Sequence, residues 1–116
     1  IKRCNLFISP ESGPMHLAAA LKTPVVGIYG MKSDDPRRYA PFDCDNEIVR
    51  LDEIPCRSWC VKESCRRCYC YEAIPDAMLV KASASLISRI IEKREKKKLP
   101  DGRIIMVIAQ EGWELV

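Results

Sequence analysis

Glu11, Ser12, Gly13 and His16 stand together in SPESGPMHLAAAL (residues 9–21), and His16 is the chain's only histidine. These residue types suit an anion and the hydroxyl groups around it. N–H groups at a helix start carry partial positive charge and favour a phosphate. Gly13 lets a ligand approach the backbone, and Ser12 adds a hydroxyl donor. His16, in the first turn, can donate to a phosphate or a sugar oxygen. Glu11 would repel a phosphate, and its carboxylate fits better as an acceptor for sugar or ribose hydroxyls. The same residues also have a purely structural reading. Ser and Gly before a helix are caps more often than ligand contacts, and a helical His is commonly solvated or satisfied. The spacing matches neither a dinucleotide fingerprint nor a P-loop. The residues alone reach an anion-friendly mouth at a strand–helix junction, with cap and ligand site both open.

The cysteines form a second group. Five of the seven, Cys56, Cys60, Cys65, Cys68 and Cys70, fall in the segment 52–75. Cys65-x2-Cys68 is a half-site for zinc, and Cys56 or Cys60 with Cys70 would complete four thiolates. Cys68 and Cys70 are close neighbours for one ion, and no paired CxxC pattern is present. Arg57, Lys62, Arg66 and Arg67 surround the cluster and favour thiolate. A structural zinc therefore stands beside unligated or disulfide-forming thiols, with an iron–sulfur cluster a remote third reading. No secretory signal is evident from Ile1, so reduced thiols or a metal are expected ahead of a disulfide framework.

The elements that must position these groups follow from apolar patterning. CNLFIS (4–9) is short, apolar and stopped by Pro10, which predicts a buried strand. Ser12 or Gly13 is the expected N-cap and Pro14 the first helical residue. Met15 to Leu21 is apolar nearly all round, so the helix is expected to be covered on several sides. Its alanines would let it lie close to a sheet. VVGIY (25–29) is a continuous β-branched run, the pattern of a strand buried on both faces. Strand, helix and strand in this order make a parallel βαβ unit. Residues 30–45 read as a polar loop, 48–51 as a third strand, and Asp76 to about Lys93 as a long helix. Leu99 to Gly102 is a turn signal, Arg103 to Ala109 a last strand, and 110–116 a tail. The two loops that leave the first and second strands share one sheet edge, where ligands of parallel sheets bind.

With 116 residues, 47% of them hydrophobic, one compact globular domain is expected. A net charge of +3 with no interleaved basic and aromatic pattern argues against nucleic acid. No apolar run reaches the roughly 20 residues that span a bilayer. The lysine run 93–98 reads as a solvated helix end, with contact to an anionic membrane surface or to phosphates of an acceptor as the alternative. Arg37 and Arg38 read equally as surface charge or as contacts for an anionic ligand.

CNLFISPESGPMHLAAALKTPVVGIYG resembles the C-terminal signature of the ADP-heptose:lipopolysaccharide heptosyltransferases, glycosyltransferase family 9. That family carries Asp-Ser/Thr-Gly-Pro-Met-His-Leu-Ala-Ala and then a Thr-Pro-Val-Val strand ending in Gly. A loop like DDPRRYAPF follows, and then a cysteine-bearing segment ending in Cys-x-x-x-Ile, as in Cys70 to Ile74. The resemblance runs from about Cys4 to Ile91.

The resemblance implies an α/β fold: a Rossmann-like parallel sheet with flanking helices, the C-terminal half of a GT-B glycosyltransferase, with a Cys-rich insertion. Residues 1–98 would be part of the nucleotide-sugar-binding domain, with the insertion at 52–75. Residues 99–116 fall outside the resemblance, as an extra strand and tail without assignment. Ser12, Gly13 and His16 match positions expected around the donor diphosphate and sugar, and Glu11 replaces the usual Asp. Ser33 and Asp34, in the second loop, are secondary donor-binding candidates. The implied reaction is inverting heptosyl transfer from ADP-heptose to a lipopolysaccharide core acceptor, in the cytoplasm at the inner face of the inner membrane. No cofactor is required. The general base would be a carboxylate of an N-terminal domain that this chain lacks, so no catalytic residue is expected here and the chain alone should transfer nothing. Two other readings stay open: a GT-B transferase with a different donor, suggested by Glu11, and a non-catalytic zinc-stabilised binding module built on 52–75.

Overall fold

The computed structural model describes residues 1–31, 34–54, 69–97, 104–109 and 112–115. The elements run β1 (Cys4–Pro10), α1 (Gly13–Ala20), β2 (Val25–Ile28), α2 (Pro36–Tyr39), β3 (Asn46–Val49), α3 (Tyr69–Glu72), α4 (Asp76–Lys97), β4 (Ile104–Ala109) and β5 (Gly112–Leu115). The strands form one sheet in the order β3-β2-β1-β4-β5. β1 to β4 are parallel, and β5 returns antiparallel to β4. This is the α/β, Rossmann-like arrangement that the sequence predicts.

Alternation along β1 sends successive side chains to opposite faces of the sheet. Leu6 and Ile8 join Val26, Val49, Leu86 and Ile90 beneath α4. Phe7 joins Met15, Ala18, Val25 and Tyr29 beneath α1. A helix therefore covers each face, as a parallel sheet requires. Gly27 sets how close α1 can come. A Cβ there would lie 2.9 Å from the Tyr29 ring and 3.1 Å from Met15 Sδ.

α1 differs from its expected environment. Met15, Ala18 and Ala19 are buried, but Leu17 and Leu21 are 53% and 38% exposed. A two-turn helix lying on a sheet buries one stripe, and here that stripe is Met15 with the small alanines. Pro14 is the second helical residue rather than the first. At the other end, Thr23 N–H donates to Ala18 O and Lys22 N–H to Ala19 O. This is a Schellman closure with Lys22 in the left-handed region, φ 59°. The Lys22 ammonium reaches the Asp43 carbonyl and carboxylate.

Three further expectations shift. β3 begins at Asn46, two residues before the apolar run, because pairing with β2 matches Val25 to Asn46 and Gly27 to Ile48. An edge strand tolerates such polar residues, so hydrophobicity marks only its end. The polar loop 30–45 contains α2, whose N-cap Asp35 accepts from Arg37 N–H at 2.9 Å. The expected tail 110–116 contains β5, with Met106 opposite Leu115.

Candidate functional site

The strand order reverses between β1 and β4: β2 and β3 lie on one side of β1, and β4 and β5 on the other. In open parallel sheets, ligands bind beyond the carboxyl ends of the strands at this reversal. Residues 10–12 leave β1 at that point and α1 starts immediately after them. Glu11 N–H donates to Ile28 O at 2.9 Å, which ties this turn to the end of β2.

Ser12 is the N-cap of α1, yet its side chain makes no cap hydrogen bond. Its hydroxyl donates instead to Pro10 O at 3.0 Å and lies 3.2 Å from Ser9 Oγ. The first N–H groups of a helix have no intrahelical partner. Those of Gly13 and Met15 are thus left uncapped by Ser12, at the positive end of the helix dipole. Gly13 has nothing within 4 Å of where a Cβ would sit, and its backbone is not in the left-handed region. Neither packing nor backbone geometry demands a glycine there. What it provides is open space beside the helix mouth.

His16 Nε2 lies 3.1 Å from Glu11 Oε1. The imidazole is 41% exposed and the carboxylate 20% exposed, so the pair sits at the rim of the mouth. Glu11, Ser12, Gly13 and His16 are thus gathered at one place. Asp34 lies on the neighbouring loop at the same sheet edge, while Ser33 lies outside the described residues.

Tyr29 and Tyr71 pack at the root of the second loop. Tyr29 is fully buried, and its hydroxyl donates to Tyr39 O at 2.6 Å. Its phenol is pushed well above the ordinary range by burial first, and then by the charges of Glu11 and Asp34. Both carboxylates therefore act on one buried phenol. The Tyr71 phenol is also pushed up, by burial and then by the Asp34 charge. Its ring lies over Gly30, where a Cβ would come within 2.7 Å of ring carbons. The Tyr71 hydroxyl donates to Asp34 Oδ2 at 3.4 Å. No local signal in the sequence pointed to Tyr71, because it stands in a segment read for its thiols.

Arg37 is held on Asp35, with Nη2 2.9 Å from Oδ2, which keeps the Asp35 carboxyl below the usual carboxylate range. Arg38 is exposed. Of the five clustered cysteines, Cys56, Cys60, Cys65 and Cys68 lie outside the described residues, and Cys70 is buried. Among the described residues there is no group of three or more His, Cys, Asp or Glu that could hold a metal. The Cys44 thiol is pushed up by burial and by Asp45, against the opposing pull of Lys22, which disfavours the thiolate. No helix among the described residues is long and apolar enough to cross a membrane.

A family model described as glycosyltransferase family 9 (heptosyltransferase) matches residues 1–70. The chain is 38% identical over 53 residues to the lipopolysaccharide core heptosyltransferase OpsX of Haemophilus influenzae, covering 46% of this chain and 15% of that protein. It is 36% identical over 66 residues to lipooligosaccharide heptosyltransferase 2 of Campylobacter jejuni, covering 53% of this chain and 18% of that protein. The matched stretch is thus under a fifth of the length of either relative. No solved structure matches the chain significantly.

Proposed function

Because the chain belongs to glycosyltransferase family 9, the heptosyltransferases, we propose that it forms the donor side of a heptosyltransferase acting in lipopolysaccharide core synthesis, and that the mouth of α1 holds the diphosphate of an ADP-heptose-like nucleotide sugar. The observation that carries this reading is the N-cap serine that does not cap. Ser12 turns away to Pro10 O and leaves the helix start open beside Gly13.

In the proposed reaction an acceptor hydroxyl of the core sugar attacks the anomeric carbon and inverts it. The bond from that carbon to the diphosphate breaks, and the electron pair leaves with the nucleoside diphosphate. Negative charge grows on the diphosphate in the transition state. Fixed N–H donors at a helix start stabilise such growing charge without reorganising, and one well-placed donor is typically worth a factor of about 100 to 1,000 in rate. His16 donates to a diphosphate or sugar oxygen, and Glu11 and Asp34 accept from sugar hydroxyls. The base that takes the acceptor proton is assigned to a part of the enzyme beyond this chain, as is the acceptor site, so the chain alone binds donor without transferring it. The reaction is placed on the cytoplasmic side.

Thermal denaturation with a panel of nucleotides and nucleotide sugars tests the reading. ADP and ADP-heptose should raise the midpoint, because a ligand that binds only the folded state stabilises it. An unmoved midpoint across the panel, with calorimetry also silent, would overturn it.

A further inference from the structure

We propose that Tyr71 is a positioning residue for the donor site: it clamps the loop after β2 and holds Asp34 at the sheet edge as an acceptor for hydroxyl groups of the bound sugar or ribose. The inference rests on the donor-site reading above and adds to it the residue that fixes the second loop.

Gly30 is the first link. It stands two residues after β2 and is buried, and Tyr71 occupies the space a side chain would fill, with Cγ, Cδ1 and Cδ2 all within 2.8 Å of the missing Cβ. A glycine at the foot of the loop therefore serves the approach of this one ring. The second link is the hydroxyl, which donates to Asp34 Oδ2 at 3.4 Å from an element 37 residues away in sequence. One side chain thus holds both the start of the loop, through its ring, and its carboxylate, through its hydroxyl. The third link is the anchoring of Tyr71 itself. Cys70 beside it is buried, and Tyr71 O accepts from Ile74 N–H at 3.1 Å. Ile74 in turn packs on the core under α4. The ring is thereby fixed to the core of the fold, and Gly30 and Asp34 are held on the Tyr71 side chain.

A carboxylate offers about four acceptor positions over its two oxygens, so a sugar hydroxyl can donate to Asp34 alongside its protein partners. Asp34 lies at the carboxyl edge beside Tyr29, whose phenol also feels Glu11. Glu11 is tied to the end of β2 through its N–H on Ile28 O at 2.9 Å, and Asp34 stands in the loop that leaves that strand. That placement suits a ligand rich in hydroxyls, bound with its diphosphate on α1.

The test is calorimetric binding of ADP-heptose and of ADP to the 116-residue chain, with Tyr71→Phe, Asp34→Asn and the double variant forming a cycle. Tyr71→Phe keeps the ring and loses only the hydroxyl. It should weaken ADP-heptose about fivefold in the wild-type background and have no further effect once Asp34 is Asn. The thermal midpoint of the unliganded chain should stay unchanged. Gly30→Ala, which drives the ring off the loop, should weaken binding at least as much and not be rescued by Tyr71→Phe. Additive effects of Tyr71→Phe and Asp34→Asn, or unchanged affinity in Tyr71→Phe, would overturn the positioning role. If the wild-type chain binds neither ligand, or His16→Ala binds as well as wild type, the donor-site reading itself fails. Binding that depends on His16 but not on Tyr71 sinks only the present inference.

Discussion

His16 Nε2 and Glu11 Oε1 meet at 3.1 Å across the mouth of α1, bridging the turn that leaves β1 and the first turn of the helix. Glutamate stands here where the related signature has aspartate. Its carboxylate meets the imidazole, and in the proposed donor site that contact would orient both groups toward the ligand.

Shortening or removing either partner should therefore separate recognition from folding. His16→Ala should weaken ADP-heptose by about tenfold, the factor that corresponds to roughly 1.4 kcal/mol. Glu11→Asp should change the ranking of sugars more than the affinity for ADP, because the proposed site sets the carboxylate against the sugar and not the diphosphate. Titration calorimetry with ADP and several ADP-sugars checks both. Equal losses for ADP and all ADP-sugars in Glu11→Asp would contradict the assignment.

Gly13 makes the opposite kind of case. The space around it is open and its backbone is ordinary, so Gly13→Ala meets no clash within the protein. The variant should be as stable as wild type or more stable by about 0.5 kcal/mol, through the smaller entropy of the unfolded chain. Donor binding should nevertheless weaken, since the methyl group occupies the approach to the helix mouth. Urea denaturation beside nucleotide binding separates the two effects.

Lys22 ends α1 in the left-handed region, where an L-residue with a side chain is strained. Its ion pair with Asp43 is well exposed on both sides and contributes little. Lys22→Gly should therefore stabilise the chain by about 1 kcal/mol. A gain of that size raises the thermal midpoint by about 4 °C in a domain of this size. A lower midpoint would show that the Asp43 contact outweighs the relief of strain.

Alkaline pH should weaken the fold through two desolvated phenols. Tyr29 and Tyr71 have folded-state pKa values raised above the ordinary phenol value, so the protonated form is favoured in the folded chain. Their contribution is whole below about pH 10 and is lost as pH rises from there towards the folded values. The double variant Tyr29→Phe/Tyr71→Phe should start less stable at neutral pH, having lost the bond from Tyr29 to Tyr39 O. Its stability should then fall less steeply with rising pH. Denaturant unfolding at a series of pH values gives the two slopes directly, and parallel slopes would refute the assignment.

By itself the sequence determined the β1-α1-β2 unit, the long helix α4 and the anion-friendly start of α1. These are local matters. Short β-branched runs, 3.6-residue periodicity and the breaks at Pro10, Pro14 and Pro24 are set by neighbours along the chain. The candidate group Glu11, Ser12, Gly13 and His16 was legible for the same reason, because six consecutive positions hold it. Only the tertiary structure decided the rest. The reversal of strand order beside the turn after β1 depends on where β4 pairs, far along the chain. The start of β3 follows the register with β2 and not its own hydrophobicity. That Ser12 turns from the helix to Pro10 O, that Glu11 meets His16, and that Tyr71 lies on Gly30 are facts of distance. Side chains of suitable type have many local alternatives, and packing of the whole sheet against α1 and α4 selects one of them.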